Sequence, residues 1–114
     1  MTSVSGARAP RRVALTGIGA ITPLGIGREA MWDGLRDARS RVGPLTRFDP
    51  APFRSHCAAQ VDEFDAADHL DARRAKRLDR FGQFSVVASQ LAIADAALDL
   101  TREDRERVGA MMGR

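Results

Sequence analysis

The sequence predicts an α/β fold in which strands alternate with helices around a parallel or mixed sheet. Three observations predict it. Val13-Ala-Leu15 is an apolar run fit for a buried strand, and it leads into Gly17 and Gly19. Over residues 72–98, Leu78, Phe81, Ser85, Ala88, Ala92 and Asp95 recur at helical spacing. Residues 108–112 form another apolar run of strand length, read as a third, buried strand.

The elements follow in order. The first strand is expected over residues 12–16. The glycines after it have no Cβ, so the backbone is expected to pass close to another element there. Thr22-Pro-Leu-Gly25 reads as a turn. A helix is expected over 28–38, with Met31, Trp32, Leu35 and Ala38 on one stripe. Gly34 inside it either weakens the helix or permits a close contact. Residues 39–52 read as a loop, since Gly43-Pro44 and Asp49-Pro50 are turn signals, with Phe48 and Phe53 pinning it down. Residues 57–61 are a short second strand, and Asp65 caps a helical turn through Leu70. Along the long helix over 72–98, Gly82, Ser85, Ser89 and several alanines make one face small enough for close packing. Thr101-Arg-Glu-Asp104 has the spacing of a capping box with a shortened acid, opening one more turn before the third strand.

Composition narrows the class. The chain has 114 residues, 44% hydrophobic and 29% charged, which is globular rather than disordered. One cysteine rules out an intrachain disulfide and suits a reducing compartment. No apolar run approaches a membrane span. Residues 1–10 are rich in small residues and arginine and read as a disordered tail without the apolar core of a secretory signal. A cytoplasmic protein with no membrane partner is expected. The net charge is +3, and all but one of the eighteen basic residues are arginine. Acids are interspersed among them and no helix-turn-helix or zinc spacing occurs, so no nucleic-acid partner is expected.

No catalytic, cofactor or metal constellation is visible. The Gly17-x-Gly19 run has Thr22 where a dinucleotide fingerprint needs its third glycine, and Pro23 delays the helix that should open there. There is no Gly-Lys-Ser/Thr, so no phosphate loop. Cys57 and His56 are adjacent, and neighbours on a strand point to opposite faces. Cys57 is therefore expected to be a partly buried structural residue rather than a nucleophile. His69 lies among Asp65, Asp68 and Asp71, which could form a metal patch but reads better as a solvated helix start.

The charged feature that stands out is Arg73, Lys76, Arg77 and Arg80, spaced i, i+3, i+4, i+7 and flanked by Arg74. They sit near a helix N-terminus, where the macrodipole disfavours cations. Such a stripe is either an ordinary solvated face or a dock for an acidic helix, a phosphate or a nucleic acid.

Taken together, the blocks resemble a known family. Val13-Ala-Leu-Thr-Gly-Ile-Gly-Ala-Ile-Thr-Pro-Leu-Gly25 is similar to the opening of the beta-ketoacyl-acyl-carrier-protein synthases, above all the synthase II type and its polyketide ketosynthase relatives. The similarity continues through Trp32, Arg39-Ser-Arg-Val-Gly-Pro-Leu-Thr-Arg-Phe-Asp49, Phe64-Asp65, Ala75-Lys-Arg-Leu-Asp-Arg-Phe-Gly-Gln83 and Arg107-Val-Gly-Ala-Met-Met-Gly113. The resemblance implies the thiolase-like fold, α/β/α/β/α, with a partial N-terminal domain over 11–114 holding only the first part of the N-terminal half. It implies decarboxylative Claisen condensation by the complete enzyme, using a cysteine and two histidines that Cys57, His56 and His69 do not match. The chain by itself is thus expected to be inactive and to lack cofactors. Arg114 stands where the family usually has a serine, and the chain reads as interrupted. The resemblance further implies an acyl carrier protein as partner, docked on Arg73, Lys76 and Arg77 with Arg74 and Arg80 as extras, and a homodimer for the full-length family member. A stand-alone carrier-binding module is the alternative.

Overall fold

The computed structural model describes residues 11–113; the tail expected over 1–10 and the departure at Arg114 lie outside them. Residues 12–16 form no regular element and pair with no strand among the described residues, and Val13 and Leu15 are 89% and 91% exposed. The run over 108–112 is likewise unpaired, with Met111 97% exposed. Both runs have the composition of strands covered on two faces, and here neither has a ladder partner. The expected first and third strands therefore do not form among these residues.

Two antiparallel ladders occur instead. β1 (Ile21–Thr22) and β2 (Gly25–Ile26) form a hairpin closed by Pro23-Leu24, with Ile21 opposite Ile26 and Thr22 opposite Gly25. This is the expected turn, held by Thr22 Oγ1, which donates to the Gly25 carbonyl and accepts from the Leu24 N–H. α1 (Arg28–Arg36) follows. Of the expected stripe only Met31 lies on its packed side, with Ala30 and Gly34, while Trp32, Leu35 and Ala38 are exposed. A Cβ on Gly34 would lie 2.9 Å from Leu24 Cβ, so the hairpin sits against the helix where the helix is smallest. That close approach leaves Trp32 and Leu35 more than half exposed.

β3 (Val42–Pro44) and β4 (Cys57–Ala59) form the second ladder, with Gly43 opposite Ala58. β3 lies inside the stretch 39–52 expected to be a loop. The Val-Gly-Pro triplet is rich in turn residues, and only its non-local pairing with β4 makes it a strand. Phe48 and Phe53 meet edge to face at 5.4 Å in the loop between, as expected, though both stay more than half exposed.

Asp65 caps a 3-10 turn, Ala66–Asp68, by accepting from the Ala67 N–H at 2.9 Å. The expected long helix is two helices, α2 (Ala72–Arg77) and α3 (Arg80–Asp95). Leu78 is extended between them, and Asp79 starts α3 by accepting from the Gly82 N–H at 2.7 Å. At the other end, Asp104 caps a second 3-10 turn, Arg105–Arg107, while Thr101 donates to Asp99 instead of capping it. The buried core is Phe64, Leu70 and Val87, with Ile21, Ile26, Val61, Ala75 and Leu78 packed around it. A radius of gyration of 19.7 Å marks an elongated body; a compact chain of this length would have about 13 Å.

The small faces meet as the sequence suggests. A Cβ on Gly17 would fall 2.6 Å from the Ala96 backbone nitrogen, and one on Gly19 would collide with the Ala88 carbonyl. Residues 17–19 thus lie directly on the alanine face of α3. The glycines are there for this contact.

α3 ends in an αL turn. The Ala97 N–H bonds the Ala94 carbonyl at 3.0 Å and the Leu98 N–H bonds the Ile93 carbonyl at 3.1 Å. This is the Schellman pattern, which places Ala97 at φ 49 where glycine is usual. An L-residue there costs about 1–2 kcal/mol, part of which glycine loses again through its freedom in the unfolded chain. Ala97→Gly is accordingly expected to stabilise the chain by about 0.5–1 kcal/mol. A urea-unfolding midpoint that stays the same or falls would contradict this.

Candidate functional site

The basic face is built on α2. Asp71 starts the helix by accepting from the Arg74 N–H at 2.9 Å. Ala75 turns inward to the core with Leu78. Arg73, Arg74, Lys76 and Arg77 are then left on the outside of a six-residue helix, all exposed. Among the described residues the ion pairs are made by Arg28, Arg36, Arg39, Arg41 and Arg47, and none of the four α2 cations takes part.

Arg80 leaves the stripe. The break at Leu78-Asp79 removes the helical register that would align it with Arg73 and Arg77. Its guanidinium lies over the Phe84 ring at 4.9 Å and the Phe64 ring at 5.7 Å, and donates to the Val61 carbonyl. The signal for this was present in the sequence: aspartate is poor inside a helix and good at its start.

The other candidates fall apart as a site. Cys57 is exposed, contrary to the partly buried position expected. Within β4 the half-buried side belongs to Ala58, so Cys57 faces outward from a two-stranded ladder with no layer over it. Its Sγ lies 3.8 Å from Ser55 Oγ, while His56 Nε2 is bound at 2.9 Å to the Phe53 carbonyl. Asp65 and Asp71 spend their carboxylates on helix starts, and the His69 ring stacks on Phe64 at 5.6 Å. No group of three metal-binding side chains assembles among the described residues. No helix among them is long and apolar enough to cross a membrane.

Asp95, one position in the helical spacing of the sequence, is a junction in the structure. Its Oδ2 accepts from the Ile18 N–H at 2.9 Å and its Oδ1 pairs with Arg28 at 2.8 Å, tying the glycine crossing to α3 and α1. Arg28 is held above its ordinary pKa, first by its hydrogen bond to Glu29 and then by Asp95.

Comparison with known proteins places this arrangement. The family model for the N-terminal domain of beta-ketoacyl synthases matches residues 10–114. The chain belongs to the beta-ketoacyl synthase family. It is 43% identical over 103 residues to 3-oxoacyl-[acyl-carrier-protein] synthase 2 of Synechocystis sp., covering 90% of this chain and 25% of that protein. It is 46% identical over 103 residues to a polyketide beta-ketoacyl synthase of Streptomyces halstedii, covering 90% and 24%. The solved ishigamide ketosynthase/chain length factor superposes with a TM-score of 0.67 at 38% identity, covering 80% of this chain and 23% of that one. The ketosynthase chain therefore has the α/β, thiolase-like fold class and spans about a quarter of the length of these relatives.

Proposed function

We propose that these residues form the carrier-protein-docking part of a condensing enzyme. The observation that carries the reading is the outer face of α2, with four exposed cations and no acidic partner among the described residues. Charge left unpaired on a fixed helix steers an oppositely charged protein and fixes its register. The names of the relatives supply the partner, an acyl carrier protein. In the complete enzyme, a homodimer in the cytoplasm, a cysteine thiolate attacks the carrier-bound acyl thioester, takes the acyl group and releases the carrier's thiolate. Malonyl-carrier protein then loses carbon dioxide, and the resulting carbanion attacks the acyl thioester and expels the thiolate. Cys57, His56 and His69 take no part in this.

Two experiments test the reading. Titration of the chain with an acyl carrier protein should give binding that weakens with salt and is lost on replacing Arg73 and Arg77 together by glutamate; salt-independent binding would contradict the docking face. Supplying the 114-residue chain with acyl- and malonyl-carrier protein should give no 3-oxoacyl product, and product formation would refute the assignment of catalysis to other residues.

A further inference from the structure

The junction between α2 and α3 holds a pair of side chains that docking as such does not require. Gln83, on the first turns of α3, reaches back across the break. Its Nε2 donates to the Ala75 carbonyl at 2.9 Å and to the Leu78 carbonyl at 3.2 Å. Both carbonyls lie at the C-terminal end of α2, where a helix leaves its last carbonyls without intrahelical partners. Gln83 is half-buried, so these bonds are shielded from competing water. Three residues earlier, Arg80 fixes the start of α3 to the segment after β4 through the Val61 carbonyl and the face of Phe64, while its guanidinium also lies over Phe84 of its own helix.

α2 has six residues, too short to hold itself as a helix. Its inward contacts are Ala75 and the adjoining Leu78. The direction in which its cations point is therefore set by what grips its two ends. Asp71 grips the first. Gln83 grips the second, and Arg80 fixes the element from which Gln83 reaches.

We propose that Gln83 and Arg80 are positioning residues for carrier-protein docking. They hold the α2 cations in one orientation and do not contact the partner. This rests on the docking reading above and reassigns Arg80 from the docking face to its support. A flexible cationic helix would still attract an acidic protein, but would lose affinity each time its orientation had to be fixed on binding.

The test is a cycle of variants titrated with a purified bacterial acyl carrier protein. Gln83→Met keeps the length of the side chain and removes its donor. It is expected to weaken binding roughly three- to ten-fold, about the net size of one neutral hydrogen bond, and to leave the salt dependence unchanged. Replacing Arg73 and Arg77 by glutamine is expected to flatten the salt dependence. Combining the two should show strong non-additivity, with Gln83→Met adding little once the cations it orients are gone. A Gln83→Met effect that persists in full in that background, or no effect in the parent, would overturn the proposal. Amide exchange supplies an arm free of the partner. The Ala75 amide of α2 and the Leu78 amide just past its end, which bonds the Arg74 carbonyl, should exchange faster in Gln83→Met and in Arg80→Met, with the Ala96 amide at the far end of α3 unchanged. Unchanged α2 exchange would overturn the brace by itself. Absent binding by the parent chain would overturn the docking reading, leaving the exchange result to judge the brace.

Discussion

Gly19→Ala is expected to destabilise the chain by about 3 kcal/mol, the upper part of the usual range for overpacking. The added Cβ would meet the Ala88 carbonyl and come within 2.6 Å of the Ala92 nitrogen. Both are main-chain atoms of a helix, so neither has a rotamer with which to step aside. Relief requires the segment to lift away from α3, and that strains the Ile18 N–H bond to Asp95 as well. Gly43→Ala is the matched control, because a Cβ there meets nothing within 4 Å. Chemical unfolding followed by far-ultraviolet circular dichroism should show a large shift for the first and a shift within about 0.5 kcal/mol for the second. Equal midpoints for the two variants would mean that residues 17–19 do not rest on the alanine face.

Reversing Arg73 and Arg77 together is expected to weaken carrier-protein binding by about thirty-fold at low salt. An exposed ion pair contributes about 0.2–1 kcal/mol. Changing the sign replaces that attraction by repulsion of similar size, so two reversals amount to about 2 kcal/mol. The difference from the parent should shrink at high salt, because the screening length falls from about 8 Å at 0.15 M to about 3 Å at 1 M. The fold should not suffer. Among the described residues neither arginine makes an ion pair that reversal would break. An exposed substitution of this kind stays within about 0.5 kcal/mol. Lost binding with parent-like unfolding supports the docking face; lost binding accompanied by a collapsed unfolding midpoint would count against it.

What was legible in the sequence was local. Gly17 and Gly19 advertise a close approach, and the alanines of α3 advertise the surface approached, so both halves of the contact could be read before they were joined. Asp65 as a helix start was equally plain, because the capping bond spans two residues. The break at Asp79 was hidden by apolar spacing that runs through it without a change of period. The ladder between β3 and β4 was hidden for the opposite reason: its strands are far apart in sequence, and Gly43 and Pro44 look like a turn until Ala58 and Cys57 are set against them. The basic cluster was visible as composition. Its division into an outward group on α2 and an inward Arg80 depended on that unseen break. Cys57 was misjudged because burial of a small side chain on a strand depends on what covers the sheet, and β4 carries nothing above that side.

The bare runs at 12–16 and 108–112 have a consequence in time. In the Synechocystis relative, 103 matching residues make up 25% of the protein and the matched family model is that of the N-terminal domain, so about 300 residues lie outside the match. Ribosomes add roughly 5–20 residues per second, which makes the interval about 15–60 s. Hairpins close in microseconds, so the elements described above have long since formed before synthesis ends. For about 15–60 s, then, a nascent chain of that length built on these elements would present two apolar ribbons with unpaired edges, and neighbouring chains on the same message would present identical ones. The glycine crossing clamped onto α3 by Asp95 keeps one end of the first ribbon anchored through that delay.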